Sequence, residues 1–431
     1  MTMNTDVQTP LAPGPRADAA DRLKIRLLMG LLLVFAPMAL YVSGAIVILL
    51  FALLAAGLWA VTDRLGLFAI PSNGHGWLLA LLVYALLSVG WARDSREAFY
   101  DWWRIALIIG SGWLLAGVVA RLPAALCRYL LRGVLWGVVL LVAMLLVEWL
   151  SGGVPASWVK QHDTSSLLFT SRASALLAVL LWPTVVFCWY RQGRRLALAV
   201  LVLGLIEISA LPLLAAVVAV LVAALVFALH YAWPRMTPRI LGVVFLAVVL
   251  AAPWAGLQIA GLAQSTTRIA AVEQLPSSWR HRLVIWEFFA RRIQASPWLG
   301  HGLGTAHGLG QVASALQDYQ RVARLLGTAK IVSSPPLHPH NAALQLWHDL
   351  GLVGVLVLCV WVILAVRGLL RRSLPRSTVA ASLACFTSWL VIAGLSFGLW
   401  QKWWLASGAI SIMICLLLVR GLNAPGDPVD A

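Results

Sequence analysis

Apolar runs of about 20 residues, the length that crosses a hydrocarbon core as a single helix, follow one another from Leu27 almost to the end of the chain. Inside a bilayer each backbone N–H and C=O must be satisfied within its segment or by a neighbour, so such runs become helices and not open strands. The runs fall at 27–43, 44–62, 76–92, 105–120, 133–150, 172–190, 196–210, 211–229, 240–261, 350–366, 378–399 and 403–419, about twelve spans. With 61% hydrophobic and 11% charged residues, the chain has more apolar surface than a water-soluble core can hide. The fold class expected is an all-α polytopic membrane protein. Trp102, Trp103, Trp149, Trp158, Trp400, Trp403 and Trp404 stand beside run ends, where interfacial aromatic belts form.

Loop charge supplies an orientation. Arg64, then Arg121, Arg128 and Arg132, then Arg191, Arg194 and Arg195, then Arg235 and Arg239, then Arg367, Arg371, Arg372 and Arg376 all fall on one side, which makes that side cytoplasmic together with both termini. Leu211-Pro212 is the only break between the runs 196–210 and 211–229. Merging them would carry the Arg367–Arg376 loop outside, against the charge rule. The organisation expected is a polar tail over 1–26, nine helices over 27–261, a large periplasmic loop over 262–349, three helices over 350–419 and a tail over 420–431. No cleavable signal stands out, because Met1–Asp21 is polar and the first apolar run is long enough to span. The net charge of +16 is scattered between spans, which suits loops facing anionic lipid and not a nucleic-acid surface. Cys127, Cys188, Cys359, Cys385 and Cys415 lie in or beside apolar runs and read as small packing residues.

The long polar interval holds six of the nine histidines, His281, His301, His307, His338, His340 and His348, with Arg268, Arg280, Arg282, Arg291, Arg292, Arg321 and Arg324. Two amphipathic helices are expected in it. One carries Leu283, Trp286, Phe289 or Ala290, and Ile293 on one face; the other carries Val312, Leu316, Tyr319, Val322 or Ala323, and Leu326. Both could lie on the membrane surface, separated by the glycine-rich turn Pro297–Gly310.

Asn341 is a good N-cap for the helix that becomes the span near Leu350. His340 then sits at the positive end of a helix, which disfavours imidazolium and keeps a neutral base available near pH 7. His338 and His340 are thus the candidate bases. An ordinary capping role at the interface is the bland alternative for each. Arg172, at the start of a span, needs an anionic partner, either Glu148 or a diphosphate, which the guanidinium fork matches. Arg268, Arg280 and Arg282 fall on the same side and could share that ligand. Asp94, Asp101, Asp163, Asp318, Asp349, Glu97, Glu273 and Glu287 read as isolated carboxylates, with Glu287 in a surface pair with Arg291 at i+4. No metal and no cofactor are expected, so activation would come from cationic stabilisation of a leaving group.

His340-Asn341, nine residues, then Gly351-Leu352-Val353-Gly354 resembles the signature of the bacterial O-antigen ligase family. Upstream, Arg282 with Trp286 and the run Pro297-Trp298-Leu299-Gly300-His301-Gly302-Leu303-Gly304 resemble the Arg-x-x-x-Trp and glycine-rich motifs of the ligase and polymerase superfamily. The resemblance implies a metal-independent, inverting membrane glycosyltransferase of the GT-C class in lipopolysaccharide biosynthesis. Such an enzyme moves O-antigen polysaccharide from undecaprenyl diphosphate to lipid A-core on the periplasmic face of the bacterial inner membrane. It implies His340 as the base, with His338 able to take that role or orient its partner. It implies Arg282 and Arg172 as diphosphate ligands, and Asn341, Trp286, Gly351 and Gly354 as motif residues.

Two alternatives compete with this reading. An O-antigen polymerase or a protein O-oligosaccharyltransferase shares the superfamily, but the short 151–171 loop and the short C-terminal tail favour the ligase. A lipid or solute transporter would place charges at mid-membrane, whereas most span centres here are Leu, Val and Ala.

Overall fold

The computed structural model describes residues 19–61, 75–159, 167–262, 274–325 and 335–422, and among them regular structure is helical throughout. The helices are α1 (Ala19–Tyr41), α2 (Ile46–Ala60), α3 (His75–Ser88), α4 (Ser95–Val119), α5 (Ala124–Ser151), α6 (Val154–Val159), α7 (Ser171–Arg191), α8 (Arg194–Ala210), α9 (Leu214–Ala232), α10 (Thr237–Leu262), α11 (Ser277–Ala295), α12 (Ala313–Leu325), α13 (Ala342–Leu370), α14 (Arg376–Leu395) and α15 (Lys402–Leu422). Ten of these are long and apolar enough to cross a membrane, and α3 and α8 are shorter helices on two further expected runs. The chain is an all-α, multi-pass membrane protein.

Residues 211–213 separate α8 from α9, as the Leu211-Pro212 break predicts. Three helices begin well before their apolar windows: α4 at Ser95, α5 at Ala124 and α13 at Ala342. Hydropathy reads only the lipid-facing length of a helix, whereas its start is set by a cap. Asp94 Oδ1 accepts from Glu97 N at 3.0 Å, and Asn341 Oδ1 accepts from Leu344 N at 3.1 Å. All five cysteines are buried and free, as packing residues should be.

The centre of the bundle is α7, buried without a break from Ala173 to Thr184 and packed against α5, α8, α9, α14 and α15. Lipid supplies no hydrophobic drive between helices, so close contact depends on small residues. A Cβ at Gly137 of α5 would lie 2.5 Å from the Leu32 carbonyl of α1, and one at Gly112 of α4 would lie 2.7 Å from Ala409 Cβ of α15. At one end of the bundle the Arg420 guanidinium donates to the Leu122 carbonyl through Nη2 at 2.9 Å. At the other end Arg172 reaches Ser43 and Lys402 reaches Asp101.

The amphipathic helices α11 and α12 bury their apolar faces inside the protein. Phe288 and Tyr319 meet edge to face at 5.3 Å, and Ala290 packs under Gly256 of α10. Expected to serve a membrane surface, these faces instead form a second core from Val284, Ile285, Phe288, Phe289, Tyr319 and Val322.

The glycine-rich turn clasps a break in α13. Gly351 has φ 59 and ψ −164, a region that only glycine enters comfortably. Its neighbours bond to the turn instead of to their own helix. His301 N donates to His348 O at 2.8 Å, Gly302 N to Asp349 O at 3.0 Å, Leu352 N to Pro297 O at 2.9 Å and Val353 N to Trp298 O at 3.2 Å. A Cβ at Gly351 would strike the Trp298 carbonyl and lie 2.5 Å from Gly300 N. Gly351→Ala should therefore lose at least about 1–3 kcal/mol from backbone strain alone. Gly368→Ala in the same helix, with open space around it, should be neutral or slightly stabilising. Melting temperatures of the two variants in detergent check the contrast.

Candidate active site

The Asn341 cap forces a sharp entry into α13, and His340 just before it adopts φ 51. Left-handed backbone is uncommon outside glycine and costs about 1–2 kcal/mol. Held this way, the half-buried His340 ring meets the 396–401 turn between α14 and α15, where its Nδ1 bonds the Ser396 carbonyl. A carbonyl only accepts, so Nδ1 carries the proton and the lone pair of the neutral ring is on Nε2.

His338 is tied differently. Trp403 Nε1 donates to Gln401 Oε1 at 3.1 Å, which orients the amide so that its nitrogen donates to His338 Nε2 at 2.8 Å. The proton of His338 is then on Nδ1, which is buried without a partner among the described residues. The two ring centroids are 4.3 Å apart, and Gly398 lies so close to the His338 ring that any side chain there would collide with it. Burial lowers the pKa of both histidines. That of His338 is held down to about 3 by desolvation and then by His340 and His307. For His340 desolvation leads, Arg282 and His281 add to it, and the Ser396 bond opposes it.

Arg282 is thus within electrostatic reach of His340. Its guanidinium stands 5.6 Å from the Trp279 ring, and its Nε, like that of Arg280, is buried without a partner among the described residues. Burial lowers the pKa of Arg282, a cost that an anion would offset. Arg172 does not pair with Glu148. Its Nη1 donates to Ser43 Oγ at 2.8 Å and its guanidinium sits 5.5 Å over the Trp403 ring. Glu148 instead accepts from Tyr41 Oη at 2.6 Å and from Ala156 N at 3.3 Å, because α5 ends beside those groups and away from the start of α7. Arg172, Trp403, Gln401 and His338 therefore form one continuous set of contacts. Arg268 lies outside the described residues.

Trp286 bridges the second core and the cluster formed by α3, α10 and α13. Gly354 lies one turn beyond the break, where a Cβ would press on the Leu350 side chain. Three carboxylates differ from their sequence reading. Asp101 pairs with Lys402 at 3.2 Å and approaches His307 at 3.6 Å. Asp349 accepts from His348 Nδ1 at 2.8 Å and from Trp400 Nε1 at 2.7 Å. Glu287 does pair with Arg291 at 2.7 Å, but it is only 1% exposed, since α11 turns that face inward. Sequence reasoning also missed Gln401 and the Ser396 carbonyl. A backbone carbonyl has no residue signature, and Gln401 looked like part of a plain turn.

His301 is stacked on His348 at 4.7 Å, and desolvation first, then His348, bring its pKa to about 4. For His301 and His338 the folded pKa lies below the ordinary imidazole value of about 6.5. Between about pH 6.5 and 4 the unfolded chain takes up protons that the folded chain refuses, so stability falls as pH falls. The expected result is a lower melting temperature at pH 5 than at pH 7, with a smaller drop in the His301→Asn/His338→Gln variant, measured in detergent.

Residues 213–359, from the start of α9 into the middle of α13, match the family profile described as O-antigen ligase. Proteins bearing the name "Putative polysaccharide ligase" are similar over long stretches. That of Rickettsia conorii is 23% identical over 81% of each chain, and that of Rickettsia typhi 28% identical over 68% of each. Another, from Rickettsia bellii, is 32% identical over 32% of each. The matched region contains the glycine clasp, the histidine pair and the α13 cap, and over it the chain is similar to the O-antigen ligase family of membrane glycosyltransferase-type enzymes.

Proposed function

We propose that the chain is an O-antigen ligase that transfers O-antigen polysaccharide from undecaprenyl diphosphate to a sugar hydroxyl of lipid A-core, with inversion and without a metal. The reaction takes place at the periplasmic face of the bacterial inner membrane, in the loop 262–349. The observation that carries this reading is the inequivalence of the two histidines. His340 directs an unprotonated Nε2 away from the Ser396 bond, while Gln401 occupies the Nε2 of His338.

In this mechanism His340 Nε2 takes the proton of the acceptor hydroxyl as that oxygen bonds to the anomeric carbon of the donor. The bond from that carbon to the diphosphate breaks on the opposite face, and its electron pair leaves with the diphosphate. The imidazolium formed keeps its Nδ1–H bond to Ser396, which steadies the charge until the proton is released. Arg282 and Arg172, with Arg280 and Arg268, stabilise the charge on the departing diphosphate, the role a preorganised cationic site fills best. Burial first, and then Arg282 and His281, keep His340 neutral before reaction, so the base is ready near pH 7.

The test is transfer of glycan from undecaprenyl diphosphate to purified lipid A-core with EDTA present. His340→Ala should reduce the rate by at least about 100-fold, while His338→Ala should retain more activity. Arg282→Ala and Arg172→Ala should weaken use of the donor. Because the pKa of His340 is lowered, wild-type kcat should hold constant from pH 7 to below about 6.5 and fall only as pH drops through that lowered value. Elongation of the donor with no transfer to lipid A-core would overturn the reading in favour of a polymerase.

A further inference from the structure

At the start of α13, Asn341 stands at the N-cap, and Gln345 and Asp349, four residues apart in the helix, share one face. Asn341 caps its own helix. The other two face the 396–401 turn and are almost completely buried: Gln345 is 2% exposed and Asp349 0%. Gln345 Oε1 accepts from Leu399 N at 2.7 Å, and Asp349 Oδ2 accepts from Trp400 Nε1 at 2.7 Å. Buried amides and carboxylates are costly unless every acceptor is used. Here both acceptors act on consecutive residues of one short turn.

That turn supplies Ser396, Gly398 and Gln401, each of which acts on a histidine of the site. The Ser396 carbonyl fixes the tautomer of His340, Gly398 lies against the His338 ring, and Gln401 occupies His338 Nε2. Asp349 is held from behind as well. Its Oδ1 accepts from His348 Nδ1, and its backbone carbonyl accepts from Gly302 of the glycine clasp. The helix that begins with the histidine motif therefore reaches across to hold the turn that orients that histidine.

We propose that Gln345 and Asp349 are positioning residues for His340: by pinning Leu399 and Trp400 they hold the 396–401 turn where its carbonyl selects the Nδ1–H tautomer and leaves Nε2 open to the acceptor hydroxyl. This assignment rests on the reading of His340 as the base. Neither residue touches the reacting atoms. Each acts through the turn, as groups that orient a functional imidazole through its other nitrogen do.

The test uses the full chain in detergent, labelled with 15N-histidine, with the His340 signals identified by their loss in His340→Gln. Gln345→Met keeps the volume and removes one acceptor, Trp400→Phe keeps the ring and removes the other donor, and Gln345→Glu restores an acceptor. Wild type should show His340 with Nδ1 protonated and Nε2 bare. Gln345→Met and Trp400→Phe should each shift His340 toward a mixture of tautomers and lower kcat about 10-fold or more, with the KM for the lipid-linked donor within twofold. Gln345→Glu should return both readouts toward wild type. An unchanged tautomer in the Gln345→Met/Trp400→Phe double variant would overturn the proposal, as would an equal loss in KM and kcat. The two single variants act at different bonds, so failure of one to fold leaves the other decisive. The tautomer is read without substrate. Should His340→Ala retain transfer, the assignment of the base fails, while the NMR result still decides whether the two residues control the ring.

Discussion

A break in α13 at Gly351 would leave backbone groups unpaired at the mouth of a membrane bundle, where unpaired groups cost several kcal/mol each in hydrocarbon. The Pro297–Gly302 turn supplies the missing partners, exchanging four backbone hydrogen bonds with residues 348–353. Glycines are required on both sides because the two backbones approach more closely than a Cβ allows, at Gly300 on one side and at Gly351 on the other, while a Cβ at Gly302 would strike Ala92. This interlock ties the segment carrying α11 and α12 to the membrane helix that carries the histidine pair.

From that joint the polar groups extend in one direction. His348 and Asp349 sit beside the break, fully buried, and Asp349 continues to Trp400. Gln345, one turn nearer the cap, continues to Leu399. The 396–401 turn then passes orientation to the two histidines, and Trp403 connects the same turn to Arg172 at the head of the most buried helix. Residues from α7, α11, α13 and α15 meet around two imidazoles without any one helix holding the whole site.

Much of this was legible in advance, for reasons specific to the bilayer. Spans were readable because hydrocarbon demands long apolar helices, and the Leu211-Pro212 break was readable because proline interrupts a helix. The Asn341 cap was readable because its side chain competes for the first free N–H groups. Of the two anionic partners the sequence leaves open for Arg172, Glu148 is not the one it meets: Glu148 bonds Tyr41, and Arg172 meets Ser43 and Trp403. Asp101 and Asp349 looked isolated because their partners, Lys402 and Trp400, are distant in sequence.

The sequence by itself determined the helical class, the apolar spans, the helix cap and the glycines of the two motifs. Each of these follows from a local rule about lipid, backbone geometry or capping. Its motif pointed to His340 first as the base, yet left His338, two residues away with the same chemistry, able to take that role. Only the tertiary structure distinguished their tautomers, because the tautomer of an imidazole is set by what its other nitrogen meets. For His340 that group is the Ser396 carbonyl and for His338 the Gln401 amide, both delivered from a turn more than fifty residues further along the chain.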